Sequence, residues 1–179
     1  MVLGRLNGQE VILRSIYAPN QGQLDFFKNL APTLSDLITD RKIIGGDFNS
    51  VLDVELDRST PPLANAPAHK IAKGMTEWLR NWGLRDSWRI QHDCKREFSY
   101  SSPVHDIHVR LDRILCTDNI CATFTGSEYL GRTYSDHNPL QVTLCMEREP
   151  PPILLWRRQP STLTDPVFRE SLRAHILEY

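Results

Sequence analysis

The sequence predicts one α/β domain followed by a short second segment, and three observations carry that expectation. The branched apolar pair Ile43-Ile44 runs into Gly45-Gly46 and ends in Asp47-Phe48-Asn49, the pattern of a buried strand opening onto a turn. Apolar residues at helical spacing precede that strand, and short alternating runs follow it. The length, 179 residues, suffices for one domain with a real core and is short for two.

Taken in order, Glu10 to Ile16 reads as a strand, because Val11, Leu13 and Ser15 alternate with Ile12, Arg14 and Ile16 before the turn-forming Pro19-Asn20. From Gln23 to Asp40, Leu24, Phe27, Leu30, Leu34, Leu37 and Ile38 keep a helical period that Pro32 should break or kink. Ala68 to Trp82 repeats that period through Ile71, Met75, Trp78 and Leu79, with Gly83 as its stop. That face is core and is given no cofactor role. After Ser87 the expected elements are strands: Phe98 to Ser102, Val109 to Cys116, and Pro139 to Met146, the last of the domain. Residues 1–147 are therefore assigned to the domain and 148–163, rich in proline, to a linker. Residues 164–179 start a helix, with Thr164-Asp165-Pro166 as its cap and Phe168, Leu172 and Ile176 four apart.

Composition excludes several classes. Hydrophobic residues at 40 % and charged ones at 24 % describe a globular chain, not a disordered or fibrous one. The net charge of -1 gives no overall basic signature, so contact with nucleic acid would need a local patch. Cys94, Cys116, Cys121 and Cys145 lack zinc-site spacing and read as reduced structural thiols. No secretory leader opens the chain and no apolar run reaches the ~18 residues of a membrane span. An intracellular protein with no membrane partner is expected.

Four segments set polar residues at the ends of apolar runs: Tyr17-Ala18-Pro19-Asn20, Gly45-Gly46-Asp47-Phe48-Asn49, Arg110-Leu111-Asp112-Arg113-Ile114-Leu115 and Ser135-Asp136-His137-Asn138-Pro139. Strand ends and their loops build the sites of layered α/β proteins. If the strand continues through its motif, Asp47 and Asn49 face one side, where a carboxylate can hold a metal or proton and a carboxamide can donate to an oxyanion. Asp112 has two readings: a local ion pair with Arg110 and Arg113, or a carboxylate that orients His137. His137 is either a solvated loop residue or a phosphate donor, and Asp136 either a turn former or a metal ligand. Tyr17 and Ser99 are each ordinary structural hydroxyls or donors to phosphate and carboxylate. His105-Asp106-Ile107-His108 reads as solvated, not zinc-bound, and no P-loop, GxSxG or dinucleotide fingerprint occurs.

In order, YAPN, GGDFN, RLDRIL and SDHNPL resemble the successive motifs of the endonuclease/exonuclease/phosphatase superfamily, from about Val11 to Met146. Within it, Gly46-Asp47-Phe48-Asn49 followed by Leu56-Asp57-Arg58-Ser59 is most similar to the endonuclease domain of LINE-type, non-LTR retrotransposon polyproteins. The tail from Trp156-Arg157 to Phe168 resembles the segment leading toward their reverse transcriptase.

The resemblance implies an α/β (α+β) fold, a four-layer sandwich of two packed mixed β-sheets flanked by helices and incomplete at the N-terminus. It implies phosphodiester hydrolysis in DNA by an activated water, with Mg²⁺ as cofactor and Mn²⁺ as an alternative. Tyr17, Asn49, His137 and Ser99 would bind the substrate phosphate; Asp47, Asn49, His137, Asp112 and Tyr17 would form the catalytic set; Asp136 and Asp47 would serve the metal. The family's principal metal-binding Glu has no counterpart here. Glu10 lies at the wrong end of its strand, so a fragment of weak or no activity is expected. DNA is the implied substrate and the nucleus the implied location. A reverse transcriptase region is expected in the intact polyprotein, with no obligate protein partner. The alternatives are an abasic-site, exonuclease III-like repair nuclease, a lipid or inositol phosphatase of the same superfamily, and a non-catalytic remnant.

Overall fold

The computed structural model describes residues 1–6, 8–30, 39–102, 104, 106–131, 135–145, 166–167 and 169–170. The chain divides into two units, Met1–Glu147 and Arg148–Tyr179. The described residues of the second are helical. The remainder of the expected linker and tail helix lies outside the described residues.

In the first unit the elements run β1 (Val2–Leu6), β2 (Gln9–Tyr17), α1 (Gln23–Leu30), β3 (Lys42–Asp47), α2 (Pro67–Asn81), β4 (Leu84–Asp86), α3 (Ser87–Gln91), β5 (Tyr100–Ser102), β6 (Ile107–Val109), β7 (Asp112–Thr117), α4 (Asp118–Cys121), β8 (Phe124–Tyr129) and β9 (Leu140–Leu144). The central sheet has strand order β1-β2-β3-β7-β4, with β2 and β3 parallel and the other pairings antiparallel. Two antiparallel ribbons, β5-β6 and β8-β9, accompany it. This is a mixed-sheet α+β architecture, as expected, although β5-β6 and β8-β9 are two-stranded ribbons and not one broad mixed sheet.

Period-two alternation decides what covers each face of the central sheet. Ile16, Ile44 and Leu115 point to the side where α1 and α2 pack, joining Phe27, Phe48, Met75, Trp78 and Leu79 in the main core. Val11 and Cys116, on the opposite face, meet Phe124 and Leu144 of the β8-β9 ribbon. The ribbon covers only part of that face. Leu13 is 42 % exposed, and with Ser15, Ile43, Gly45 and Ile114 it lines a cleft of about 680 Å³ that ends at Asp112 and His137.

Several elements differ from the sequence expectation. The helix from Gln23 is described as far as Leu30, and residues 31–38, with the expected break at Pro32, lie outside the described residues. The single strand expected from Val109 to Cys116 is broken, because β6 ends at Val109 and β7 begins at Asp112. Asp112 therefore opens a strand and does not interrupt one. Cys116 and Cys121 are joined by a disulfide across Cα atoms 5.8 Å apart, which corrects the expectation of four reduced thiols. Five-residue spacing lets the end of β7 and α4 bring the two together. Cys94 and Cys145 are free and exposed. Among the described residues no helix is long and apolar enough to cross a membrane.

Beneath the sheet's β7 end lies a buried ionic cluster. Asp57, 0 % exposed, receives Arg110 Nε at 2.8 Å and Arg89 Nη2 at 2.5 Å on one oxygen and Arg113 Nη2 at 3.1 Å on the other. Asp86 adds a second carboxylate, 2.7 Å from Arg110 Nη2 and 3.5 Å from Arg113 Nε. Burial alone would raise the Asp57 carboxyl, but the charges of Arg113 and Arg110 and the hydrogen bonds from Arg110 and Arg89 outweigh it and hold Asp57 far below the usual carboxylate range. The local ion pair read for Asp112 is thereby overturned: Arg110 and Arg113 point away from it, into the core, toward Asp57 and Asp86.

Replacing Asp57 by alanine leaves buried guanidinium groups short of a counter-charge, so urea unfolding at pH 7 should show a loss of about 3–5 kcal/mol. The folded carboxyl is depressed, so its contribution is complete above the ordinary value of 3.8 and disappears as pH falls below it. The gap between wild type and Asp57→Ala should therefore narrow in acid. An equal gap at pH 7 and in strong acid would contradict the assignment.

Candidate active site

Two parallel strands and one antiparallel strand bring the expected residues to a single edge. Because β2 and β3 run parallel, their C-terminal ends coincide, and because β7 runs against β3 it begins there. The register places Tyr17 opposite Asp47 and Asp47 opposite Asp112, one row across three strands. Bonds continue past the strand ends: Ala18 N–H donates to Asp47 O at 2.8 Å and Phe48 N–H to Leu111 O at 3.0 Å.

Gly46 makes this convergence possible. Its φ is 143°, and a Cβ there would lie 1.9 Å from the carbonyl oxygen of Ile16 on β2. The close approach that glycine permits is thus to the neighbouring strand. At Gly45 a Cβ would find an ordinary contact, 3.5 Å from Ile114.

The strand ends at Asp47, so Asn49 is placed by a turn and not by alternation. Asn49 has a left-handed φ of 44°, a conformation asparagine tolerates. Its backbone N–H donates to Asp47 Oδ1 at 2.8 Å, and its Nδ2 donates to Ala18 O at 2.7 Å. One carboxamide hydrogen thus anchors Asn49, and the other remains available for a ligand. Gln23, buried at the start of α1, spans the two turns by donating to Asn20 O at 2.7 Å and Asn49 O at 3.1 Å. Sequence reasoning passed over Gln23; a polar residue opening an otherwise apolar helix face was its only signal.

The second half of the site is a carboxylate–imidazole pair. His137 Nδ1 lies 2.7 Å from Asp112 Oδ2, which favours the proton on Nδ1 and leaves Nε2 to face a substrate. Asp112 is held by its own backbone: Ser99 Oγ accepts from the N–H groups of Leu111 and Asp112, each at 2.9 Å, and Tyr129 donates its hydroxyl to Asp112 O at 2.7 Å. Burial pushes the Tyr129 hydroxyl up to about 12, so it stays a donor at neutral pH. Asn138 N–H donates to Ser99 O at 2.6 Å and a bridge joins Tyr100 to His137, fixing the histidine loop against the same segment.

Not every expected residue stands where a substrate could touch it. Ser99 is fully buried with its oxygen engaged by two N–H groups, so it braces Asp112 and does not reach a phosphate. Tyr17 is 79 % exposed at the rim. Asp136 is exposed beside His137, with its Oδ1 3.5 Å from Ser135 Oγ.

These positions also test the expected metal. Asp47 and Asp112 face each other across the register, but one oxygen of Asp112 is committed to His137. Among the described residues no group of three His, Cys, Asp or Glu side chains could hold an ion. Mg²⁺ prefers six oxygens in near-octahedral array, and the residues present fall short of anchoring one firmly.

The fold can be compared with known proteins at this point. No family model matches the chain. An AP endonuclease from Archaeoglobus fulgidus superposes with a TM-score of 0.66 at 18 % identity, over 80 % of this chain and 64 % of that one. The endonuclease domain of TRAS1, a telomere-specific non-LTR retrotransposon, superposes with a TM-score of 0.58 at 14 % identity, over 80 % of this chain and 61 % of that one. The chain has the endonuclease/exonuclease/phosphatase fold. By sequence, this nuclease-fold chain is 30 % identical over 175 residues to the transposon TX1 uncharacterized 149 kDa protein of Xenopus laevis. That match takes in 94 % of this chain and 13 % of the relative.

Electrostatics separates Asp47 from its neighbours. Burial raises its carboxyl above the ordinary value and the facing Asp112 adds to the rise, while the Asn49 N–H and the charges of His137 and Arg113 offset part of it. A raised carboxyl means that the ionised form costs stability once pH exceeds the ordinary range, a cost absent below it. Asp47→Asn keeps an acceptor for Asn49 N–H and should raise the melting temperature at pH 7. That gain should vanish in acid, and a variant less stable than wild type at pH 7 would contradict this reading.

Proposed function

We propose that this chain is the endonuclease portion of a LINE-type retrotransposon protein and that it nicks DNA by directing a water at a phosphodiester. The observation that carries the reading is the row Tyr17–Asp47–Asp112, with His137 seated on Asp112, at one strand edge of a nuclease fold. The likeness to the TX1 transposon protein favours the transposon branch over a repair nuclease or a phosphatase of the same superfamily.

Each residue has work suited to its surroundings. Asp47, made more basic by burial, accepts the proton of the attacking water or aligns it. The free Nδ2 hydrogen of Asn49 and the Nε2–H of a protonated His137 donate to oxygens of the phosphoryl group as charge builds there. Asp112 holds the imidazole in one tautomer and balances its charge. Tyr17, exposed at the rim, supplies a further hydroxyl to a phosphate oxygen. The resemblance brings Mg²⁺ as cofactor, and the described residues do not by themselves make a firm site for it. On this reading the chain works in the nucleus, as part of a polyprotein that also carries a reverse transcriptase.

The test is nicking of supercoiled plasmid in Mg²⁺ or Mn²⁺ buffer, with abasic duplex and inositol phosphate run alongside. Slow plasmid nicking that falls roughly 10²-fold or more in Asp47→Ala and His137→Ala is expected. Activity that survives both substitutions would overturn the site. Activity confined to abasic duplex or inositol phosphate would overturn the transposon assignment.

A further inference from the structure

We propose that Arg113 is a positioning residue that sets the spacing between the two halves of the active site, Asp47 with Asn49 and Asp112 with His137. The proposal rests on the nuclease reading above. Arg113 sits on β7 one residue after Asp112, but pleat alternation turns its side chain to the opposite face, where it is 1 % exposed. From there its guanidinium reaches both loops. Nη1 donates to Ser50 O at 2.6 Å, in the turn that follows Asn49, and to Leu111 O at 3.2 Å, just ahead of Asp112. Nη2 donates to Arg110 O at 2.7 Å and to Asp57 Oδ2 at 3.1 Å.

Three backbone carbonyls from two separate segments thus converge on one planar fork. The Asp47–Ser50 turn and Leu111 hang from Nη1, and Arg110 O hangs from Nη2. A second fastening runs in parallel, because Asp57 Oδ2 also accepts the N–H groups of Leu52 and Asp53 at 3.1 and 3.2 Å. Asp57 thereby carries the continuation of the Asn49 turn to the same guanidinium. A lysine could supply the charge but not the fork: its one ammonium has three N–H donors, whereas the two Nη groups together hold four acceptors, Ser50 O, Leu111 O, Arg110 O and Asp57 Oδ2. Asp86 belongs to the same ionic cluster but touches it only through arginine side chains, not through the backbone groups of either loop. Its carboxylate meets Arg110 and Arg113 and caps α3 through Trp88 N–H at 3.1 Å.

That contrast supplies the experiment. The His137 ring signals and the Asn49 side-chain amide signals of the full chain are followed by NMR in wild type, Arg113→Lys and Asp86→Asn, beside urea unfolding and plasmid nicking. Both variants should lose stability. Only Arg113→Lys should move the His137 and Asn49 signals together and lower nicking by about 10²-fold, as expected for catalytic groups displaced by an ångström. Asp86→Asn should leave those signals in place. Should Arg113→Lys fail to fold, the wild-type guanidinium decides: separate, slowly exchanging Nη–H signals with coupling to the Ser50 carbonyl are expected, and one averaged, rapidly exchanging signal would overturn the proposal. Equal movement in both variants, or none in Arg113→Lys, would also overturn it. The NMR readouts need no turnover, so an inactive wild type would count against the nuclease reading and leave the test of Arg113 intact.

Discussion

One buried carboxylate, Asp57, holds three guanidinium groups, those of Arg110 and Arg113 shut off from water and that of Arg89 nearly so, and the loops that bear the site are tied to it. Such an arrangement is an expensive way to build a core, because every charge in it gives up hydration. Its return is geometric. Hydrogen bonds from Arg110, Arg113 and Arg89 arrive from fixed directions, whereas apolar packing alone would tolerate sliding. The chain passes from one sheet to another here, where β6 stops, two residues pass and β7 starts at Asp112. Arg110 fills that break with a buried side chain, and its N–H donates to Asp57 O at 2.9 Å, so the break is bonded and not loose.

The opposite half of the site depends on a different constraint, the shared end of two parallel strands. Gly46 lets β3 lie so close to β2 that no side chain fits between them. The chain then turns through Asn49, whose amide closes on Ala18, while Gln23 clamps the same turn from the helix side. Tyr17, Asp47 and Asn49 are thus held by backbone bonds within one small region, each group fixed by the chain of another. Ionic bonds brace one half and close backbone packing the other.

The sequence disclosed these halves unequally. Gly-Gly-Asp-Phe-Asn marked a strand end because glycine, a carboxylate and an amide at that spacing have few other uses, and the strand did end there. The pairing of His137 with Asp112 was one of two readings of Asp112, since a strand carboxylate flanked by two arginines invites the local pair. What resolves it is parity. Residues 113 and 115 of β7 share a face, Leu115 is fully buried, and Arg113 must go inward with it. Its partners, Asp57 and Asp86, lie 56 and 27 positions away in sequence, and no local pattern joins them. The strands β1, β4 and β8 were not anticipated for a related reason. Each is stabilised by pairing with a neighbour as much as by its own residues, and β4 is only three residues long.

Asp47 shows how far the site has been shaped against the stability of the fold. A carboxylate facing another carboxylate, half out of water, is a poor choice for a strand end, and its raised proton affinity records that cost. The same cost makes it a stronger acceptor for a proton than an exposed aspartate. The Asn49 N–H and the charges of His137 and Arg113 offset part of that cost. One oxygen of Asp112 is already given to the imidazole. The two halves of the site are thus coupled by charge as well as by register, because the histidine that Asp112 seats lowers the proton affinity that Asp112 raises on Asp47.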